Sequence, residues 1–191
     1  MAIQITNIHK NFSENVIFAG FSLDIEDGAK LAIMGPSGKG KTTLINMLCG
    51  FTQPDTGNII KRDGLQISMV FQEDRLLPYK SGLANVLFPL KRAKNHAQVA
   101  IDLMAQAGLG QDIHKKTAQY SGGMKRRLAL CRALMVDFDL LILDEPFKGL
   151  DAALKPQIME LVKTRTQNKT LVLVTHDPAE ADFFGATTIN I

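Results

Sequence analysis

Cysteine is scarce in this chain: the 191 residues include two, Cys49 and Cys131, each set among apolar residues in a run that reads as a helix. A pair so placed excludes a disulfide-built fold and reads as buried free thiols in a reducing compartment. Long apolar runs are missing as well. No stretch of about eighteen residues is free of charge, so no segment reads as a membrane-spanning helix. The amino terminus, MAIQITNIHKNF, alternates apolar and polar residues and has neither the basic start nor the long apolar core of a secretory signal. A cytoplasmic location, free or on the inner face of a membrane, is therefore expected. Charge of one sign is also in short supply: Lys plus Arg number 22 against 19 Asp plus Glu, a formal +3. That bias gives no reason to expect nucleic acid or anionic lipid as a partner. What remains is a globular composition, 46% hydrophobic and 21% charged, which excludes a disordered tail or a fibre. At this length one domain with a real core is expected, with room for an inserted lobe.

Short strand-like runs open the chain at residues 2–9, 21–25 and 30–34, the last after an Asp27-Gly28 turn. Gly35 to Gly40 is a glycine-rich loop, and Lys41 to Cys49 predicts a helix stopped by Gly50. Two more strands are expected at 57–62 and 67–71. From Glu73 to about Ala118 the pattern changes, with breaks at Pro78 and Pro89 and helical spacing of Val99, Leu103, Met104 and Ala107, which suggests a helical lobe. Beyond it come predicted helices at 122–135, 151–166 and 179–183 and strands at 140–143, 170–174 and 187–191. Strands apolar along their whole length, alternating with helices, imply an α/β fold with a parallel sheet covered on both faces.

The first chemical motif is GPSGKGKT, comprising Gly35, Pro36, Ser37, Gly38, Lys39, Gly40, Lys41 and Thr42, between an apolar strand and a helix. It fits the pattern of a phosphate-binding loop. Its glycines let backbone N–H groups turn inward around phosphate oxygens, and the helix presents its positive dipole end to the same anion. Lys41 adds charge toward the β and γ phosphates, and Thr42 can ligate Mg²⁺. The second motif is LLILDEP, Leu140 to Pro146: an apolar strand ending in two carboxylates, at the strand end where open α/β sheets bind ligands. Asp144 suits a Mg²⁺ role, and Glu145 suits a general base that deprotonates the attacking water. Together these predict a metal-assisted nucleotide hydrolase, a class that small-molecule kinases, GTPases and motor ATPases share.

The branch is set by YSGGMKRR, Tyr120 to Arg127, where Ser121, Gly122 and Gly123 at a helix start offer a hydroxyl, close backbone approach and exposed N–H groups. Two phosphate-binding helix starts in one chain, serving one nucleotide chemistry, imply that two chains share each nucleotide.

Across nearly its whole length the sequence resembles the ATP-binding subunits of ABC transporters. The match runs in order through GPSGKGKTT as the Walker A loop, Gln72 as the Q-loop glutamine, SGGMKRR as the signature, LLILDEP as Walker B, Gly149-Leu150-Asp151 as the end of the D-loop, and His176 in VTHD as the switch histidine. The resemblance implies a single domain over residues 1–191: a RecA-like P-loop core, an antiparallel edge sheet at the amino end, and a helical lobe inserted at about 73–120. It assigns Lys41, Thr42 and Thr43 to the phosphates of ATP and to Mg²⁺, and Gln72 to Mg²⁺ and the attacking water. Asp144 would hold Mg²⁺ through water, Glu145 would be the general base, and His176 would contact the γ phosphate. Ser121, Gly122, Gly123 and Asp151 would act on the nucleotide of the other protomer in a head-to-tail homodimer. Phe12 falls where the family stacks an aromatic on adenine, though it also reads as a core phenylalanine.

The segment FQEDRLLPY, Phe71 to Tyr79, resembles importers of nitrate, sulfonates, taurine and thiamine precursors. An ATPase subunit of an importer follows, bound to an integral membrane permease and served by a solute-binding protein. In the family this segment faces the permease. The charged Glu73-Asp74-Arg75 followed by Leu76-Leu77 also reads as a solvated turn packed on its own lobe. The alternative function is a soluble ABC ATPase acting on nucleic acid or the ribosome, which the single cassette and the absence of a long coiled-coil insertion disfavour. Departures from the family pattern are Tyr120 in place of leucine, Lys39 in place of a small residue, Arg126 in place of glutamine, and Lys148-Gly149 in place of Ser-Ala in the D-loop. Fifteen residues follow His176, room for one helix and one strand.

Overall fold

In the computed structural model, which describes residues 1–13, 15–90 and 93–191, the strands pair into two hydrogen-bonded sheets. Strand β1 (Ile3–Phe12) buries Ile3, Ile5 and Ile8 and pairs antiparallel with β2 (Asn15–Ile25) and β4 (Thr56–Lys61). The order is β2-β1-β4. The second sheet has the order β5 (Ile67–Val70), β6 (Leu140–Asp144), β7 (Thr170–Val174), β3 (Lys30–Met34), β8 (Thr187–Asn190). Its β6–β7, β7–β3 and β3–β8 pairs are parallel. All five residues of β6 and of β7 are buried, as strands covered on both faces must be.

The chain divides into two compact units. The first, residues 1–67, 138–144 and 168–191, holds the antiparallel sheet, strands β3, β6, β7 and β8, helix α1 (Lys41–Cys49) and helix α6 (Pro178–Phe184). The predicted limits of α1 hold. Gly50, at φ 81°, closes the helix with its own N–H on Met47 O and the Phe51 N–H on Asn46 O, the left-handed stop that glycine adopts at little cost. Strand β2 begins six residues before the predicted start at Phe21, because sheet pairing with β1 recruits Asn15 to Gly20, a stretch with no alternation of its own.

The second unit, residues 68–137 and 145–167, is mostly helical. It contains α2 (Gly82–Leu87), α3 (Ala97–Gln106), α4 (Gly122–Met135) and α5 (Lys155–Arg165). Helix α5 starts later than its sequence suggests: Asp151 O accepts from the N–H groups of Leu154 and Lys155, so the first turn is spent as a loop, and Pro156 enters at the start of the helix, where its missing N–H costs nothing. Helix α4 buries Leu128, Ala129, Leu130 and Cys131 in succession. Tyr120, just ahead of it, is also buried and donates its hydroxyl to Asp112 O at 2.6 Å. Gly82 is the partner that makes room, since a Cβ there would lie 2.2 Å from the tyrosine oxygen. This explains how tyrosine replaces the leucine of the family pattern.

Leu76 and Leu77 are half-buried. The Leu77 N–H donates to Asn85 Oδ1 at 2.8 Å, and Leu77 O accepts from Asn85 Nδ2 at 3.1 Å and from Thr117 Oγ1 at 2.8 Å. The segment is thus tied to its own lobe, and the side chain that stands out is Tyr79, 84% exposed.

Candidate functional site

In the first unit, parallel pairing aligns the candidate residues on one sheet edge. Ile33 of β3 and Asp144 of β6 are both in register with Val174 of β7. The loop from Gly35, the carboxylate of Asp144 and the segment carrying His176 therefore leave the same end of three adjacent strands. Two glycines shape the loop. Gly35 has φ 144° and a Cβ there would sit 2.2 Å from Ile191 O; Gly40 has φ 102° and a Cβ there would sit 2.5 Å from Ile17 Cγ2. The Lys41 ammonium donates back to the loop, to Gly35 O at 2.7 Å and Pro36 O at 2.8 Å. Pro36, Ser37, Gly38 and Lys39 are exposed, as is Thr42, while Thr43 is half-buried. The first N–H groups of α1 have no partners within the helix, so N–H and hydroxyl donors suited to an anion are concentrated at this edge.

Asp144 is 3% exposed, and His176 is exposed just beyond β7. A pair the sequence reading missed fixes that histidine's turn. Thr175 donates its hydroxyl to the buried Glu180 carboxylate at 2.5 Å and accepts from the Asp177 N–H at 3.1 Å, while Asp177 caps α6 through Ala179 N–H. Among the described residues no three His, Cys, Asp or Glu side chains form a metal cage. The donors on this edge are hard oxygens, Thr42 and Asp144, which fits Mg²⁺, an ion that keeps its waters and takes phosphate oxygens as further ligands. Phe12 ends β1 half exposed, with Lys10 Nζ 5.3 Å from its ring centroid, so it is not a core residue.

The second unit gathers the remaining candidates. Gln72, Gly122, Gly123 and Glu145 line a cavity of about 240 Å³ together with Arg126 and Lys148. Glu145 has φ 47°, a left-handed conformation that costs a non-glycine residue about 1–3 kcal/mol and that recurs at functional sites. Its carboxylate lies 2.6 Å from the exposed Lys148 ammonium. The Ser121 hydroxyl is the cap of α4, accepting from Met124 N–H at 3.2 Å, which aims the helix start and the adjacent exposed Gly122 outward. Asp151 is exposed and accepts from Ala153 N–H at 2.8 Å.

Arg126 and Lys148 stand out in the sequence as family departures, without a role. In the structure Arg126 is buried and donates to Phe71 O at 2.5 Å, Pro146 O at 3.1 Å and the Asp74 carboxylate at 3.3 Å. Arg132, two turns along α4, donates to Asp74 O and Arg75 O, both at 2.8 Å, and the Arg75 guanidinium lies 3.6 Å from the Phe71 ring centroid. The start of the EDRLLP segment is therefore tied, through the Asp74 carboxylate and the Asp74 and Arg75 carbonyls, to two arginines of α4. The signal that could have found it is an arginine at an otherwise apolar helical position.

Comparison with known proteins follows the same lines. A family model described as "ABC transporter" matches residues 18–148, and one described as "AAA domain, putative AbiEii toxin, Type IV TA system" matches residues 116–182. The aliphatic sulfonates import ATP-binding protein SsuB 1 of Nocardia farcinica is 37% identical over 183 residues, covering 95% of this chain and 74% of that protein. The taurine import ATP-binding protein TauB of Yersinia pestis is 40% identical over 178 residues, covering 86% and 69%. Among solved structures, the dimeric post-hydrolysis state of the ATP-binding cassette MJ0796, bound to ADP and Pi, superposes with a TM-score of 0.85 at 28% identity over 99% of this chain and 94% of that one. A second dimeric structure of MJ0796, described as a bacterial ABC transporter cassette, gives 0.87 at 29% identity over 98% and 94%.

Proposed function

The chain belongs to the ABC transporter family as an ATP-binding and ATP-hydrolysing importer subunit, and we propose that two copies close head to tail over two MgATP molecules on the cytoplasmic face of a membrane permease to drive uptake of an organosulfonate. The cargo class comes from the sulfonate and taurine importers that the chain resembles at 37% and 40% identity. Residues 1–191 act as one ATPase domain, with the helical lobe at about 73–120 facing the permease and a solute-binding protein delivering cargo to it.

The observation that carries the chemistry is the shared register of Ile33, Val174 and Asp144, which favours one phosphate site at the edge where Gly35, Asp144 and His176 begin. Lys41 trades its two loop carbonyls for β and γ phosphate oxygens, Thr42 and Thr43 add hydroxyls, and Phe12 stacks on adenine. Thr42, Gln72 and, through water, Asp144 would hold Mg²⁺, which would supply charge neutralisation for the phosphates. Glu145 accepts a proton from the attacking water as the water oxygen bonds to the γ phosphorus and the bond to the β-phosphate oxygen breaks, leaving ADP and phosphate. Gln72 orients that water and His176 donates to the γ phosphate. Lys148 must first release Glu145. The Lys148 side chain is 70% exposed, so water takes over its hydrogen bonds on release, while Glu145, 13% exposed, turns to the attacking water. Ser121, Gly122, Gly123 and Asp151 reach the nucleotide of the partner copy, so ATP bridges the dimer and hydrolysis removes the bridge.

Glu145→Gln tests this reading. The variant should bind MgATP, lose hydrolysis by about a hundredfold or more, the usual scale for a general base, and elute as a dimer from gel filtration in saturating MgATP. A monomer under those conditions, or undiminished hydrolysis, would reject it.

A further inference from the structure

Arg126 sits in the second turn of α4, with its side chain 7% exposed and its guanidinium spread over acceptors from two separate segments of the chain, 71–74 and Pro146. Nε donates to Pro146 O at 3.1 Å. Nη1 donates to Phe71 O at 2.5 Å, reaches Gln72 O at 3.4 Å, and pairs with the Asp74 carboxylate at 3.3 Å. The carbonyls it holds flank the two residues assigned to the attacking water: Phe71 and Gln72 on one side, and Pro146, which follows Glu145, on the other. All of these contacts lie within the helical unit.

The geometry points to Arg126 as a positioning residue for hydrolysis, one that fixes the backbones of Gln72 and Glu145 to the same helix that begins at Ser121. The inference rests on the assignment of Gln72 and Glu145 to the water. Its physical basis is the planar fork of the guanidinium, which serves two carbonyls and a carboxylate at once; an ammonium is a point donor and lacks that geometry. Buried carbonyls that lose their donor rearrange toward other partners, and a shift of about 1 Å in a catalytic group costs on the order of a hundredfold in rate. Glu145 already occupies a left-handed conformation, so its carboxylate position depends on what holds the residues after it. The inference also gives the arginine at this family departure a role that glutamine, with a shorter reach and a single amide donor group, could not fill.

The experiment measures steady-state ATP hydrolysis by Arg126→Gln and Arg126→Lys, with backbone hydrogen exchange on the same samples and Glu145→Gln as a parallel control. Arg126→Gln should lower kcat fivefold or more with KM for ATP within threefold of the parent, because the carbonyls and the carboxylate named above belong to 71–74 and Pro146 and not to the phosphate loop. Exchange should quicken at 71–75 and 146–149 and stay unchanged at 35–43. Arg126→Lys, which keeps a cation beside Asp74 and one carbonyl bond, should recover part of the rate, and it guards against a glutamine variant that fails to fold. A kcat within fivefold of the parent in the folded Gln variant, a loss carried by KM, exchange that rises throughout the helical unit, or full rescue by lysine would each overturn the inference. Loss of activity in Glu145→Gln beside normal activity in Arg126→Gln rejects the positioning role alone, whereas full activity in Glu145→Gln rejects the assignment on which it rests.

Discussion

Replacing Lys41 by alanine separates what this side chain does for the empty loop from what it does for the nucleotide. Its ammonium makes two bonds to loop carbonyls, at 2.7 Å to Gly35 O and 2.8 Å to Pro36 O. Pro36 is exposed and Gly35 half-buried, so water replaces the lost donor at both, and the cost to stability is the ordinary net value of about 0.5–1.5 kcal/mol per bond, or about 1–3 kcal/mol together. For a protein of this size that lowers Tm by about 2–12 °C. Binding loses more. Two charge-assisted bonds to phosphate contribute roughly 1.5–3 kcal/mol each, and subtracting the carbonyl bonds that are given up leaves a net centred on about 2.5 kcal/mol. At 1.36 kcal/mol per decade this raises the Kd for MgATP by about 30- to 150-fold. Calorimetric titration of Lys41→Ala at 10 °C, with Lys41→Met as a variant that keeps the buried stem, reads the affinity, and a melting curve reads the stability. A Kd within threefold of the parent in either folded variant would refute the phosphate role. A melting loss well beyond about 12 °C in Lys41→Met would show that the ammonium is chiefly a structural tie.

Two further predictions concern the lobe and the thiols. Asn85 is wholly buried and its amide grips Leu77 N–H, Leu77 O and Ser81 O; Thr117 and the Asn85 N–H still serve the two carbonyls after Asn85→Ala, so one orphaned N–H remains and the cost should be about 2–3 kcal/mol in urea unfolding. A loss under about 1 kcal/mol would mean the EDRLLP segment is not held by this residue. Burial pushes the Cys49 thiol up to about 11 and the Cys131 thiol up to about 12 from 9.0. Both should therefore resist a thiolate-directed reagent at pH 8 in the native protein and react rapidly once unfolded. Because the folded values lie above the unfolded ones, the stability linked to these thiols is fully present below pH 9 and is lost as pH rises toward 11 and 12. Native stability that is flat or rising from pH 9 to 11 would contradict the burial.

The sequence by itself determined whatever depends on neighbours along the chain. A strand, a glycine loop and a capped helix from Lys30 to Gly50 were legible because each step is a local backbone preference, and the structure keeps Lys41–Cys49 as the helix. The whole-length apolar runs of β6 and β7 announced burial on both faces for the same reason. Ordered motifs, each with its own chemistry, carried the family reading to the ATPase. Only the tertiary structure decided register and partners. That Ile33, Val174 and Asp144 share a row is a fact of long-range pairing, and nothing within a few residues of any of them encodes it. From its alternation alone strand β2 has about half its observed length, because sheet pairing holds Asn15 to Gly20 in place. Arg126 and Lys148 looked like misfits to a pattern until three dimensions supplied the carbonyls of Phe71 and Pro146 and the carboxylate of Glu145. Hydrogen bonds and ion pairs act over about 3 Å of space whatever the separation in sequence, so a side chain's type can be read from the chain but the group it satisfies is chosen by the fold.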